Sequence, residues 1–157
     1  MKIFKLVFIA AVLALGFYSC NDDEDTGPSQ LEKDIAVIEA YLAANNIVAD
    51  TQKTTEIRYL IEQQGYGAYP TAYSTIKIKY KGYLTDGTVF DETVDGNSLI
   101  ISLGSVISGW QYVIPYFREG AKGMLFIPSG YGYGDTEKGD IPANSVLIFE
   151  INLLEVY

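Results

Sequence analysis

The chain contains no histidine, one cysteine and one tryptophan. Without an imidazole there is no Ser-His-Asp triad, no HExxH zinc site and no histidine-based proton transfer. The single thiol, Cys20, excludes an intrachain disulfide. Basic residues are scarce as well: 11 Lys and Arg stand against 20 Asp and Glu, a formal charge of −9. That balance argues against nucleic acid and against electrostatic adhesion to anionic lipid. The glycines at 130–134 alternate with tyrosines and no lysine follows them directly, so they form no phosphate-binding loop. The carboxylates in 91–95 and 135–140 match no metal-ligand or hydrolase spacing and are expected in solvated loops. Neither a metal nor a cofactor is expected.

The N-terminal apolar run, 6–17, is about twelve residues long, short for a membrane crossing. Behind Lys2 and Lys5 it reads as the core of a secretory signal spanning 1–19. Cys20, directly after Ser19, resembles a bacterial lipoprotein processing site, although Tyr18 is bulkier than that site usually carries. In that reading Cys20 becomes the lipid-modified first residue of the mature chain. A plain secretory signal cut nearby is the alternative. The acidic run 21–25 and Thr26-Gly27-Pro28 have nothing to bury, and 20–29 is expected to be an extended tether. The run resembles the acidic export tag of surface lipoproteins in the Bacteroidetes. The expected location is the cell envelope, anchored at the outer membrane by acyl chains and facing either the surface or the periplasm. Loss of 1–19 removes two lysines and no acid, taking the formal charge from −9 to −11.

Ser29 and Glu32 have capping-box spacing, and Leu31, Ile35, Ile38 and Leu42 recur at helical intervals. A helix is predicted over 30–44, packed on the domain or on a second copy, with 47–54 as a connector. The rest, 54–157, reads as one domain. Alternation places Ile57, Tyr59 and Ile61 on one strand face, and sets Ile76, Ile78 and Tyr80 against Lys77, Lys79 and Lys81. Asp86-Gly87 marks a tight reversal into a strand at 88–91. Further strands are predicted at 99–103, 122–127 and 145–156. In the last, Leu147, Phe149, Ile151 and Leu153 share one face, with Ile148, Leu154 and Val156 opposite. The tyrosines of loop 65–73 are expected to cover a sheet edge. Residues 111–118 allow two helical turns with Val113, Ile114 and Phe117 inward, kinked or partly 3₁₀ because Pro115 lacks a donor. The expected class is α+β: a strongly curved antiparallel sheet of five to six strands wrapped around one short helix, with an additional N-terminal helix.

The stretch 103–110 holds the lone tryptophan between two glycines. Trp110 is either plain core or the floor of a shallow aromatic pocket. Large apolar and phenolic groups sit at predicted strand ends: Tyr80, Phe90, Val106, Ile107, Trp110, Tyr133, Ile141 and Phe149. One reaction class needs little else. Rotation about a prolyl peptide bond faces a barrier of about 18–20 kcal/mol from amide resonance, and requires no proton, nucleophile or metal.

An ordered set of fragments carries a resemblance. It runs through Lys79-Tyr80-Lys81-Gly82-Tyr83-Leu84, Asp86-Gly87-Thr88-Val89-Phe90-Asp91, Leu103-Gly104 and Val106-Ile107-Ser108-Gly109-Trp110. It continues with Glu119-Gly120-Ala121-Lys122, Ile127-Pro128, Tyr131-Gly132-Tyr133-Gly134 and Ile141-Pro142-Ala143-Asn144. Over roughly 54–157 the chain resembles an FKBP-type peptidyl-prolyl cis-trans isomerase domain. The resemblance implies that Trp110 floors the proline site, with Tyr80, Phe90, Val106, Ile107 and Phe149 as walls and Ile141 covering one side. It also implies that the Ile107 N–H and the Tyr133 hydroxyl bind ligand carbonyls. Asp91 would be a rim acceptor that orients the amide or the neighbouring tyrosine.

Three positions depart from the family pattern. Leu99, at the rim, replaces an aromatic; loop 92–98 offers no arginine for Asp91; and the flap after Gly134 is short and acidic. The implied function is isomerisation of Xaa-Pro segments in envelope or exported proteins. The implied partners are proline-containing polypeptides, macrolide inhibitors and a membrane reached through the lipid anchor. The alternatives are a proline-segment-binding chaperone with little turnover, and a scaffold lipoprotein.

Overall fold

The computed structural model describes residues 27–94 and 96–157; the expected signal peptide, Cys20 and the acidic run 21–25 lie outside the described residues. The capping box forms as its spacing predicts. The Ser29 hydroxyl accepts from the Glu32 N–H at 3.3 Å, and the Glu32 carboxylate accepts from the Ser29 N–H at 2.7 Å. Helix α1 then runs Gln30–Ala44 and ends at Asn45, whose N–H donates to the Tyr41 carbonyl at 3.1 Å.

Seven antiparallel strands follow among the described residues: β1 Asp50–Thr51, β2 Arg58–Gln63, β3 Thr75–Tyr83, β4 Val89–Glu92, β5 Leu99–Ser102, β6 Lys122–Ile127 and β7 Leu147–Val156. Their order is β1-β2-β6-β7-β3-β4, with β5 also on β3. The strand beyond the expected five or six is β1, a two-residue pairing inside the predicted connector. One long edge of β3 pairs with β7, and its other edge is divided. Thr75 to Ile78 pair with β5, whereas Lys81 to Tyr83 pair with β4. In the gap Thr93 substitutes for a strand: its N–H donates to the Tyr80 carbonyl at 3.0 Å, and its hydroxyl accepts from the Tyr80 N–H at 3.2 Å. The sheet is therefore open at Tyr80.

One face wraps the principal core, built from Ile76, Ile78, Leu125, Ile127, Leu147, Phe149, Ile151 and Leu153 around helix α2, Ser108–Val113. The helix begins before Trp110 rather than after it, and continues as a 3₁₀ turn, Ile114–Tyr116, which places Pro115 where no helical donor is needed. Val113, Ile114 and Phe117 are fully buried, as their pattern predicts. The other face carries a second cluster, where Ile38 and Leu42 of α1 cover Met124, Phe126 and Ile148. Helix α1 thus packs on its own domain.

Two details differ from expectation. A β-bulge opposite Lys77 and Ile78 pairs Ile78 with Leu153 but Ile76 with Val156, so Val156 turns back toward the principal core. Tyr66, Tyr69 and Tyr73 stand largely exposed; the Tyr66 ring lies close to Gly120, and the Arg118 guanidinium packs over the Tyr69 ring at 4.9 Å.

Gly123 of β6 lies where a Cβ would collide with the Leu60 carbonyl oxygen and the Phe117 ring. Gly123→Ala is expected to lower stability by about 3 kcal/mol in urea unfolding, whereas Gly130→Ala, with nothing within 4 Å, is expected to be neutral. Tyr83, beneath α1, has its hydroxyl pKa raised by burial first, then by hydrogen bonding to Tyr41 and by the Glu150 charge. A tyrosine proton held more tightly in the folded state stabilises fully below the unfolded value of about 10. That contribution is lost as pH climbs through the raised folded value. Urea midpoints are expected to fall between pH 9 and 11, and to fall less in Tyr83→Phe.

Candidate active site

The site forms where the divided edge of β3 exposes the principal core. Helix α2 reaches the sheet closely because residue 109 has no side chain: a Cβ there would stand 2.5 Å from Ile127 Cγ2. This seating lays the Trp110 indole across the sheet among aromatic edges. Tyr80 meets it at 5.3 Å between centroids and 84°, and Phe149 at 5.2 Å and 81°. Both are edge-to-face geometries, each worth about 0.5–1.5 kcal/mol beyond area burial.

Above the indole lies a concavity of about 240 Å³. Tyr80, Asp91, Leu99, Val106, Ile107, Trp110, Tyr133 and Phe149 all line it, as the sequence places them. The volume lies below the roughly 300–1,000 Å³ of drug-sized ligand sites and suits one ring with its neighbours. The indole is only 4% exposed, so it forms a packed floor rather than a projecting wall.

Two expected members sit elsewhere. Phe90 does not line the concavity; it packs over Gly82 and meets Phe149 edge-on at 5.5 Å, holding that wall from behind. Ile141 is 5% exposed within the principal core. Its backbone pairs with Lys138, donating to the Lys138 carbonyl at 3.0 Å and accepting from the Lys138 N–H at 2.9 Å. This closes a tight turn at Gly139, with φ +59°, and anchors the base of the flap.

Three further residues line the opening: Ile101, Ser105 and Lys138. Ile101 was legible by period two from Leu99. Lys138 carried no signal, being the one cation among Asp135, Glu137 and Asp140. Its ammonium lies over the Tyr133 ring at 4.5 Å, a cation–π contact across the rim.

The donors and acceptors are sparse and specific. The Tyr80 hydroxyl donates to the Asp91 carboxylate at 2.6 Å. Burial raises the Tyr80 pKa, and the Asp91 hydrogen bond and charge raise it further. The Tyr133 pKa is raised by burial and then by the Asp91 charge, so both phenols stay protonated at neutral pH. The buried Trp110 Nε1 has no acceptor, at a cost of about 1–3 kcal/mol. Among the described residues neither the Ile107 N–H, at the entrance to α2, nor the Tyr133 hydroxyl has a hydrogen-bond partner. No group of three or more potential metal ligands occurs among the described residues. An apolar box with unmet donors at its rim can hold a carbonyl-bearing apolar ring.

Comparison with known proteins places this geometry. The family model of the FKBP-type peptidyl-prolyl cis-trans isomerases matches residues 67–154. The FKBP-type peptidyl-prolyl cis-trans isomerase FkpA of Aeromonas hydrophila is 42% identical over 121 residues, covering 75% of this chain and 45% of that protein. An FK506-binding protein of Neisseria meningitidis serogroup A / serotype 4A is 38% identical over 99 residues, covering 60% of this chain and 91% of that protein. The crystal structure of FkpA from Escherichia coli matches with a TM-score of 0.70 at 32% identity, over 81% of this chain and 62% of that chain. This chain therefore spans about half the length of the FkpA proteins it matches. The family model covers more than half of the chain, and its bounds enclose the residues around the concavity; the chain belongs to the FKBP-type peptidyl-prolyl cis-trans isomerase family.

Proposed function

We propose that this chain is a peptidyl-prolyl cis-trans isomerase that takes Xaa-Pro segments of polypeptides into the concavity above Trp110. The observation that carries the reading is an open apolar site floored by a packed indole, with the free donors of Ile107 and Tyr133 beside it.

The chemistry follows from amide resonance. A planar prolyl amide is polar, and twisting it breaks resonance and reduces the charge separation across the bond. Seating the pyrrolidine ring on Trp110 removes water from the planar amide, whose polar form loses more by that transfer than the twisted form does. The Ile107 N–H and the Tyr133 hydroxyl hold flanking carbonyls, so the chain on either side of the ring keeps its orientation while the bond turns. Asp91 fixes Tyr80, and so the wall beside the indole. Leu99 in place of an aromatic leaves one wall lower, which admits bulky residues before the proline. No proton is transferred, consistent with a site lacking histidine.

The proposal extends to location: Cys20 carries lipid and anchors the domain at the outer membrane, where exported polypeptides are the substrates. A macrolide occupying the same concavity is expected to compete with peptide.

The purified chain is expected to accelerate cis-to-trans isomerisation of a proline-containing tetrapeptide. Tyr133→Phe should lower kcat/KM by about fivefold through the loss of one hydrogen bond, and Trp110→Ala should lower it further. Tight peptide binding without rate enhancement would assign the chain to the chaperone class instead. Cys20→Ser is expected to move the protein from the membrane fraction to the soluble fraction of the expressing cell, and an unchanged distribution rejects the anchor.

A further inference from the structure

Asp34 lies on α1, outside the 67–154 family match, yet it is 2% exposed. A carboxylate buried to that degree needs several donors to offset lost hydration. Its Oδ2 accepts from the Ser129 N–H at 2.8 Å and from the Ser129 hydroxyl at 2.6 Å, and its Oδ1 accepts from Gln30 Nε2 at 2.7 Å. Ser129 opens the 3₁₀ turn Ser129–Tyr131 that leads directly into Tyr133.

The turn hangs from that one residue. The Ser129 carbonyl accepts from the Gly132 N–H at 2.8 Å and from the Gly134 N–H at 2.9 Å, the amides on either side of Tyr133. From the far side Asn144 donates to the Gly134 carbonyl at 2.7 Å, and Ser108 of α2 donates to the Tyr131 carbonyl at 3.2 Å. Beneath, Gly132 sits so close to Leu147 that a Cβ would stand 2.7 Å from its Cδ1. Charge-assisted hydrogen bonds are shorter and about twice as strong as neutral ones, and Asp34 supplies the only such bonds in this set.

We infer that Asp34 is a positioning residue for the rim tyrosine: by gripping both donors of Ser129, α1 sets the turn that aims the Tyr133 hydroxyl over the Trp110 floor. The inference rests on the isomerase reading for its kinetic consequence, although not for its structural one. Trp110 binds the ring whether or not Tyr133 is aligned, so misalignment acts on turnover rather than on ground-state binding.

The experiment compares Asp34→Ala, Asp34→Asn and Ile38→Ala in the full chain, with peptide isomerisation, amide hydrogen exchange and urea unfolding as readouts. Asp34→Ala is expected to lower kcat by about threefold, less than outright loss of the Tyr133 hydroxyl, with KM nearly unchanged, and to speed exchange at Gly132 and Gly134 but not at Leu125 or Phe149. Asp34→Asn keeps an acceptor for Ser129 and, with the Gln30 amide turned over, a partner for Gln30, so it should restore most of the activity. Ile38→Ala loosens the same helix through its apolar contact; it should cost at least as much stability while leaving kcat and the 132 and 134 amides as they were. Where Asp34→Ala does not fold, Ser129→Ala removes one donor from the other end and should shift kcat and exchange in the same direction. Wild-type kcat and exchange in Asp34→Ala, or an equal fall in Ile38→Ala, overturns the inference. If the wild type itself has no isomerase activity, the functional proposal fails, and exchange at 132 and 134 alone decides the role of Asp34.

Discussion

The seating of α2 on the sheet at Gly109 is the constraint from which the site follows. A helix of six residues is far below the length that is stable alone in water. It exists because Trp110, Val113, Ile114 and Phe117 fill the hollow of the sheet, and because the missing Cβ at 109 lets its backbone descend onto Ile127. That descent lays the indole flat among the edges of Tyr80 and Phe149, and presents the Ile107 amide at the helix entrance. Had α2 stood higher, the same side chains would have packed as ordinary core. The opening at Tyr80 is the second half of the constraint. With β4 and β5 sharing one edge of β3, the sheet never closes over the indole.

Polar groups around the hollow divide into two sets. Tyr80 with Asp91, and Asp34 with Ser129, are internally satisfied pairs that fix walls and rim. The Ile107 N–H and the Tyr133 hydroxyl are left unpaired beside the hollow, whereas Trp110 Nε1 is unpaired but buried and does not face it. A small apolar site gains most when its few donors face the ligand and its other polar groups are occupied with one another. The flap follows the same division: its carboxylates, Asp135, Glu137 and Asp140, are exposed, while Lys138 leans on Tyr133.

The fold was legible where one face of an element is dry. Ser29 and Glu32 marked the start of α1, and alternation in β3 and β7 assigned their inner residues correctly as far as Leu153. Beyond Leu153 a bulge shifts the parity, and period two cannot foresee an inserted residue, so Val156 was placed on the wrong face. Strand β1 escaped notice because two residues contain no period. The concavity's lining was mostly legible through the resemblance, but Phe90 and Ile141 show its limit: a shared motif reports that a residue matters without saying whether it touches the hollow or braces it. Asp34 was invisible for another reason. Its partner lies 95 positions away along the chain, and one aspartate on a helix resembles any solvated one.

One consequence of the lone indole reaches beyond packing. The chain has thirteen tyrosines and a single tryptophan, and that tryptophan is the floor of the hollow. Excitation absorbed by the phenols drains toward the indole, so the near-ultraviolet emission of the whole molecule originates largely at one spot. Any ring bound in the hollow would change the surroundings of the emitter itself. The molecule therefore carries its own optical gauge of occupancy, requiring neither label nor substitution.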